Sequence, residues 1–321
     1  MFKPMLATEV KSFSDGQIKK HLTGEWFYEV KLDGMRCVAT VTPTSVKCES
    51  RNGKPMAFAE QYFADEFARI QKKMGSHRTE SLLFDGELYS KDWNTSMALT
   101  PNRVKALDPS VKVSFVVFDV IADEDYSLDY ATRRVQLEYW LHNPAGKGGE
   151  YGERNDIHAI ECHKLQTTPD FQPEDILMAL KVKAEALITQ GYEGLIAKRD
   201  GHLYQVRQSE SSGKWRSVRS REWLKFKDVT SEDLEVIDTV ESEINPGTVG
   251  TVVVQFGDET VKVGGLTIEQ KTDYFKDPSI IVGKVIEVKH YGVTSNKKLR
   301  HPTMVTVRED KDVTEVREST N

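Results

Sequence analysis

At 321 residues with a formal charge of -6, the chain is long enough to bury two substantial cores, and its negative balance excludes a protein that coats nucleic acid indiscriminately. Its three cysteines, Cys37, Cys48 and Cys162, show no CxxC spacing, which excludes a disulfide scaffold and a cysteine-rich zinc site and fits a reducing compartment. No segment is apolar enough to span a bilayer and the start lacks a leader pattern, so the expectation is a soluble, cytoplasmic protein with no membrane partner.

In chain order, the apolar-aromatic run Trp26-Phe27-Tyr28 reads as the end of a buried strand and leads into Lys31-Leu32-Asp33-Gly34-Met35-Arg36. A lysine placed there is either desolvated or chemically employed. Val38 to Val41 and Val46 to Glu49 predict a hairpin, and Phe58 to Met74 predicts one helix, with Phe63, Phe67, Ile70 and Met74 at helical spacing. Leu82 to Leu88 and Val111 to Val120 predict strands, and Tyr130 to Leu141 and Asp175 to Thr189 predict helices. Asn143 to Gly149 is glycine-rich but lacks the spacing and terminal Lys-Ser/Thr of a P-loop, so it reads as a connection.

From Lys198 to Lys227 the chain is basic, with Asp200, Glu210 and Glu222 as the only acidic residues. Such a run is either a solvated loop or a track for a phosphate backbone. Beyond it come short β-rich runs, Leu234 to Val240, Thr248 to Phe256, Glu259 to Val263, Gly283 to His290 and Met304 to Arg308, with a helix at Ile268 to Phe275. Five short strands around one helix suit an OB-fold. The domain boundary is expected near Asp228 to Glu232, and the polar end after Asp312 is expected to fray.

The Lys-x-Asp-Gly-x-Arg pattern at Lys31 has four fixed positions, which recur by chance in on the order of one in a few hundred random chains of this size. It has company. Ser50-Arg51-Asn52-Gly53, Phe84-Asp85-Gly86-Glu87-Leu88, Phe118-Asp119, Glu193-Gly194-Leu195-Ile196-Ala197-Lys198 and Trp223-Leu224-Lys225-Phe226-Lys227 follow. Singly, each has a plain reading, such as an exposed turn arginine or a core phenylalanine. In this order they resemble the motifs of the covalent nucleotidyltransferases, the superfamily of DNA ligases, RNA ligases and mRNA capping enzymes.

That resemblance implies an α+β chain: a nucleotidyltransferase (adenylation) domain of antiparallel sheets and flanking helices over 1–229, then an OB-fold β-barrel over 230–321. It implies Lys31 as the nucleophile, aided by Lys225 and Lys227, which a strand points to one face. The nucleotide contacts implied are Val30, Arg36, Arg51, Glu87, Phe118 (stacked on the purine), Lys198, Lys225, Lys227, Arg308 and Lys311. Glu87 and Glu193 are implied as ligands of Mg2+ or Mn2+. Arg36 and Arg51 are implied to grip DNA at a nick. Lys214, Arg216, Arg219 and Arg221 are further candidate DNA contacts, read from the basic run and not from a family motif. Tyr130-Ala131-Thr132-Arg133-Arg134 matches a helix lead-in and is assigned to packing.

Leu299-Arg300-His301-Pro302 and Arg308-Glu309-Asp310-Lys311 resemble the C-terminal elements of ATP-dependent DNA ligases of the compact two-domain phage or bacterial type. The resemblance then implies ATP as AMP donor, nicked double-stranded DNA as partner, a monomer, and a second domain that swings Arg308 and Lys311 over the pyrophosphate. A capping guanylyltransferase is the nearest alternative enzyme, though that motif usually carries threonine where Leu32 stands. A nick-binding protein without chemistry and a metal module built on His158, Cys162 and His163 are the alternatives outside enzymes.

Overall fold

The structure, a computed structural model, describes residues 2–91, 111–141, 156–209, 212–227, 230–293, 297–311, 313, 314 and 316. The chain divides into two units, Met1–Phe226 and Lys227–Asn321. The glycine-rich connection at Asn143 to Gly149 and residues 228 and 229 of the expected boundary lie outside the described residues.

The first unit begins with β1 (Leu6–Glu9), α1 (Asp15–His21), β2 (Trp26–Lys31), β3 (Met35–Val41), β4 (Val46–Ser50), α2 (Ala57–Tyr62), α3 (Ala64–His77) and β5 (Leu82–Tyr89). β6 (Ser114–Ala122), α4 (Tyr130–Leu141), β7 (Ile157–Ala159), β8 (Cys162–Lys164), α5 (Pro173–Thr189) and β9 (Gly194–Arg199) follow. A short ribbon of β10 (Arg207–Gln208) and β11 (Trp215–Arg216) precedes β12 (Arg219–Lys227). Two five-stranded sheets result, ordered β4-β3-β5-β6-β7 and β1-β12-β9-β2-β8. They are not wholly antiparallel as expected, because β6–β7 and β1–β12 pair in parallel.

β6 carries Phe115-Val116-Val117 without alternation and is buried on both faces, as a central strand must be. Against it pack Phe63, Phe67 and Met74, but not from one helix. The predicted helix breaks at Phe63, whose backbone (φ -106°, ψ 23°) leaves the helical range. The break turns the Phe63 ring inward against Phe115, with centroids 6.3 Å apart. On the other sheet, α5 starts at Pro173, where a missing N–H costs nothing, and Asp175 accepts the Gln172 N–H at 2.8 Å. It lays Ile176, Leu180 and Ala184 onto Trp26, Leu195 and Leu224.

Strand register brings the motifs together. Lys31 lies opposite Gly194 across β2–β9, and Arg36 lies opposite Glu87 across β3–β5. Two glycines permit this approach: a Cβ on Gly34 would stand 2.3 Å from the Leu88 carbonyl oxygen, and one on Gly86 2.6 Å from that of Val116.

The second unit holds β13 (Thr230–Glu241), β14 (Val249–Phe256), β15 (Glu259–Val263), α6 (Ile268–Lys276), β16 (Val285–His290) and β17 (Thr303–Val307), with strand order β15-β14-β13-β16-β17. The long β13 pairs with β16 through its first half and with β14 through its second. The two outer strands are joined by a parallel bridge at Gly264 and Thr303, where the Met304 N–H donates to the Gly264 carbonyl at 2.9 Å. The sheet thus closes on itself around Leu234, Val236, Val252, Val254, Val263, Ile286 and Val288. Thr267 caps α6 by accepting from Gln270 N, and Tyr274 of that helix is buried against the interior. Residues 313, 314 and 316 are helical and Val316 is buried; the rest of the polar end expected to fray lies outside the described residues. No helix among the described residues is long and apolar enough to cross a membrane.

Candidate active site

Lys31 ends β2, and its Nζ donates to Oε2 of Glu193, the residue just before β9. The backbone repeats the pairing, with the Glu193 N–H donating to the Lys31 carbonyl at 3.2 Å. Glu87 faces the same place from β5. Burial, with the nearby charges of Glu193 and Asp33, pushes its carboxyl up to about 7 against the pull of Lys31 and Arg36. Glu87, Glu193 and Asp33 thus gather near two cations, Lys31 and Arg36. Among the described residues no three His, Cys, Asp or Glu side chains form a ready metal cage.

Arg36 is locked before any ligand arrives. Its Nε and one Nη donate to the two oxygens of Asp85, both at 2.6 Å, and it donates to the Met5 carbonyl at 3.1 Å. Asp85 is fully buried and also accepts from the Tyr204 hydroxyl at 2.5 Å. The guanidinium lies 4.7 Å from the Phe118 ring centroid and 5.6 Å from that of Trp223. Phe118 is half-buried, edge-on to Trp223 at 5.7 Å, and packs in one apolar cluster with Val30, Leu32 and Val116.

Lys198 requires a correction. It was expected among the nucleotide contacts, yet it is 0 % exposed, and its Nζ bonds to Glu29 at 2.9 Å and to the Phe118 carbonyl at 2.6 Å. The rings of Phe118, Tyr130 and Trp223 surround that ammonium at 5.3, 4.8 and 4.9 Å. A charge so enclosed supports the aromatic platform from beneath and does not reach a ligand. Alongside, Arg133 grips Asp119 at 2.7 and 3.0 Å, both fully enclosed. Burial and then the Arg133 charge lower the neighbouring His202 to about 4, so its Nδ1 proton donates to the Arg199 carbonyl at 2.6 Å while Nε2 faces Arg133. Arg133 thus plays the packing role expected of it.

Sequence reading missed Asp85, Glu29, Asp119, Tyr204 and Trp223 as partners of the site. The signal was present: each carboxylate interrupts an otherwise apolar strand, and a buried charge demands a counter-charge.

Lys225 and Lys227 alternate along β12 with the buried Leu224 and Phe226, so they share a face as expected. Lys225 lies 4.0 Å from Glu9, and Lys227 lies 4.9 Å over the Tyr291 ring. In the sheet, β9 stands between β12 and β2. Arg51 is exposed on the turn closing β4, where Gly53 N–H donates to the Ser50 carbonyl at 2.7 Å. Lys214, Arg216, Arg219 and Arg221 are exposed, and Arg216 stands directly opposite Arg207 in the ribbon. In the second unit Arg308 and Lys311 meet Asp233. His158 bonds to Asp156 at 2.9 Å, His163 packs on Tyr28 at 5.2 Å, and Cys162 contacts the Tyr130 hydroxyl at 3.3 Å.

A family model described as ATP dependent DNA ligase domain matches residues 4–227. The chain belongs to that family. Outside the match lies most of the second unit. The chain is 25% identical to the bifunctional non-homologous end joining protein LigD of Bacillus subtilis, over 63% of this chain and 31% of that protein. It is 22% identical to the DNA ligase of Enterobacteria phage T4, over 94% of this chain and 68% of that protein. The chain therefore spans about a third of the LigD protein. Among solved structures, one named Pmar-Lig_PreS3 superposes with a TM-score of 0.69 at 19% identity, over 96% of this chain and 68% of that one. A Lig E DNA ligase, described as binding DNA with a minimal scaffold, gives 0.64 at 20% identity over 96% and 100%. At such identities the likeness establishes the fold, a nucleotidyltransferase-type ligase domain with mixed α and β sheets.

Proposed function

We propose that the protein seals nicks in duplex DNA at the expense of ATP, through a lysyl-AMP on Lys31 and a 5′-adenylated strand, in replication, repair and recombination. The observation that carries this reading is the convergence of Lys31, Glu193, Glu87 and Arg36 beside Phe118 in a chain of the ligase family. Residues 1–229 then act as the adenylation domain and 230–321 as an OB-fold. The second assignment is supported by five strands closed through a parallel joint, with one helix after the third strand.

In the first step the Lys31 amine attacks the α-phosphorus of ATP, the N–P bond forms, and the bond to pyrophosphate breaks. The amine must first lose a proton, and Glu193, already in contact with Nζ, is placed to accept it. Phe118 and Val30 offer an apolar slot for the purine, and Glu87 the ribose contact. Arg36, preset by Asp85 and the Met5 carbonyl, keeps its other Nη for a phosphate. Arg51 joins it at the 5′-phosphate of the nick. Lys225 and Lys227 bind the α-phosphate, and Arg308 and Lys311 receive pyrophosphate. Lys214, Arg216, Arg219 and Arg221 track the DNA backbone.

Glu87 and Glu193 offer two hard carboxylates to a divalent ion, and burial, with a smaller effect of the Glu193 charge, raises Glu87 to about 7, so a bound cation would favour its ionised form. Bound magnesium or manganese would neutralise phosphate charge there. ATP is then the nucleotide donor and the protein works as a cytoplasmic monomer.

The test is a duplex with one nick whose 5′-phosphate is labelled, incubated with the protein, magnesium and ATP. The expected result is label rendered resistant to phosphatase and joined into the longer strand, with ATP but not GTP. An intact nick after full turnover of ATP would remove the DNA-sealing assignment.

A further inference from the structure

Arg308 and Lys311 follow β17 and turn back onto one carboxylate. Arg308 donates from one Nη to both oxygens of Asp233 at 3.0 Å, and Lys311 Nζ donates to Oδ2 at 2.6 Å. Asp310 takes the other edge of the guanidinium, at 2.9 and 2.8 Å. Asp310 lies two residues from Arg308, whereas Asp233 belongs to β13. All these residues belong to the second unit.

An oxyanion gripped at once by an arginine and a lysine is how these side chains would also meet a phosphate. Asp233, Arg308 and Lys311 keep 18, 26 and 37 % of their side chains exposed. Ion pairs this accessible contribute little and exchange readily, unlike the sealed pairs of the first unit.

We propose that Asp233 stands in for an ATP phosphate: it holds Arg308 and Lys311 side by side and must give them up before they take pyrophosphate. The inference rests on the reading that these two cations serve the pyrophosphate. Its consequence is competition. While the cations rest on Asp233 the protein is not ready for nucleotide, so apparent ATP affinity is reduced by the fraction of time they spend there.

The experiment follows label transferred from α-labelled ATP to the full chain at rising ATP concentration, for wild type, Asp233→Asn, Asp233→Glu and Asp233→Asn/Arg308→Ala. The half-saturating ATP concentration of Asp233→Asn should fall roughly two- to fivefold with little change in maximal rate. Asp233→Glu should return to the wild-type value, the gain should shrink at about 1 M salt, and the double variant should lose it. Closure of an already adenylated nick should be the same in Asp233→Asn and wild type, which shows that the variant is folded. An unchanged half-saturation would overturn the proposal. So would a reduced maximal rate that glutamate restores, because Asp233 would then organise the cations for catalysis instead of competing for them. If wild type labels and Asp233→Asn matches it, only this inference falls. If wild type takes no label, the functional reading falls with it.

Discussion

Arg133 and Lys198 in the first unit are sealed from solvent against Asp119 and Glu29, while Arg308 and Lys311 in the second meet Asp233 within reach of water. The chemistry of the pairs is the same and their uses differ. A buried pair is costly to break because the abandoned partner stays charged in an apolar setting, so it fixes geometry. An exposed pair exchanges its partner for another anion, so it suits a cation that has to move. In the first unit the fixed pairs lie directly under the site: Lys198 holds the Phe118 carbonyl, and Asp119 is the next residue along β6.

Breaking the comparison at its strongest point means removing Lys31. Lys31→Ala should abolish covalent labelling by ATP while leaving the urea midpoint near wild type, since Lys31 is partly exposed. Next in size, Arg133→Met should lower stability by about 3–5 kcal/mol in urea titration, by stranding Asp119. Arg133→Met combined with Asp119→Leu should recover much of that loss, and a double variant no better than the single one would contradict the view of the pair as a fixed support. Gly86→Ala should cost about 1–3 kcal/mol, because its methyl group would meet the Val116 carbonyl, and should weaken labelling by displacing Glu87.

Acid should probe the sealed network and spare the exposed one. His202 takes a proton near 6.5 when unfolded but near 4 in the fold. Across that window the unfolded chain binds more protons, so stability is full above 6.5 and falls as pH drops through 4. Asp119, held below its usual range by Arg133 against the opposing effect of burial, acts in the same direction at lower pH. Glu87, raised from 4.5 to about 7, acts in the opposite direction over much of the same window, so the His202 contribution is read as a difference: between about pH 7 and about pH 4 the wild-type urea midpoint should fall relative to that of His202→Asn. The smallest stability effect belongs to Asp233→Asn, at no more than about 1 kcal/mol. A larger loss would place that pair with the structural ones.

Much of this arrangement was legible in the residues. Alternating runs such as Val252, Val254 and Val261, Val263 show one buried face each, and so predict a small barrel. Lys31, Glu87 and Glu193 are nominated by the resemblance of their motifs to those of the covalent nucleotidyltransferases; in the fold Lys31 ends β2, Glu87 lies within β5 and Glu193 just precedes β9. Lys198 misled for a physical reason: its counter-charge, Glu29, is 169 residues away, and only the β2–β9 register shows that the lysine points into the core. Asp85 was quoted within a motif but given no task, since its partner Arg36 comes from another strand. The break at Phe63 was hidden because helical spacing continues through it. No local pattern announces Asp233, whose partners lie 75 and 78 residues away.

The most direct test of the central claim is transfer of label from α-labelled ATP or GTP to the purified protein in magnesium, with Lys31→Ala alongside and nicked duplex added afterwards. The account predicts acid-stable label from ATP alone, absent in Lys31→Ala and discharged into sealed DNA. Label from GTP, label that survives loss of Lys31, or label that nicked DNA fails to remove would contradict it.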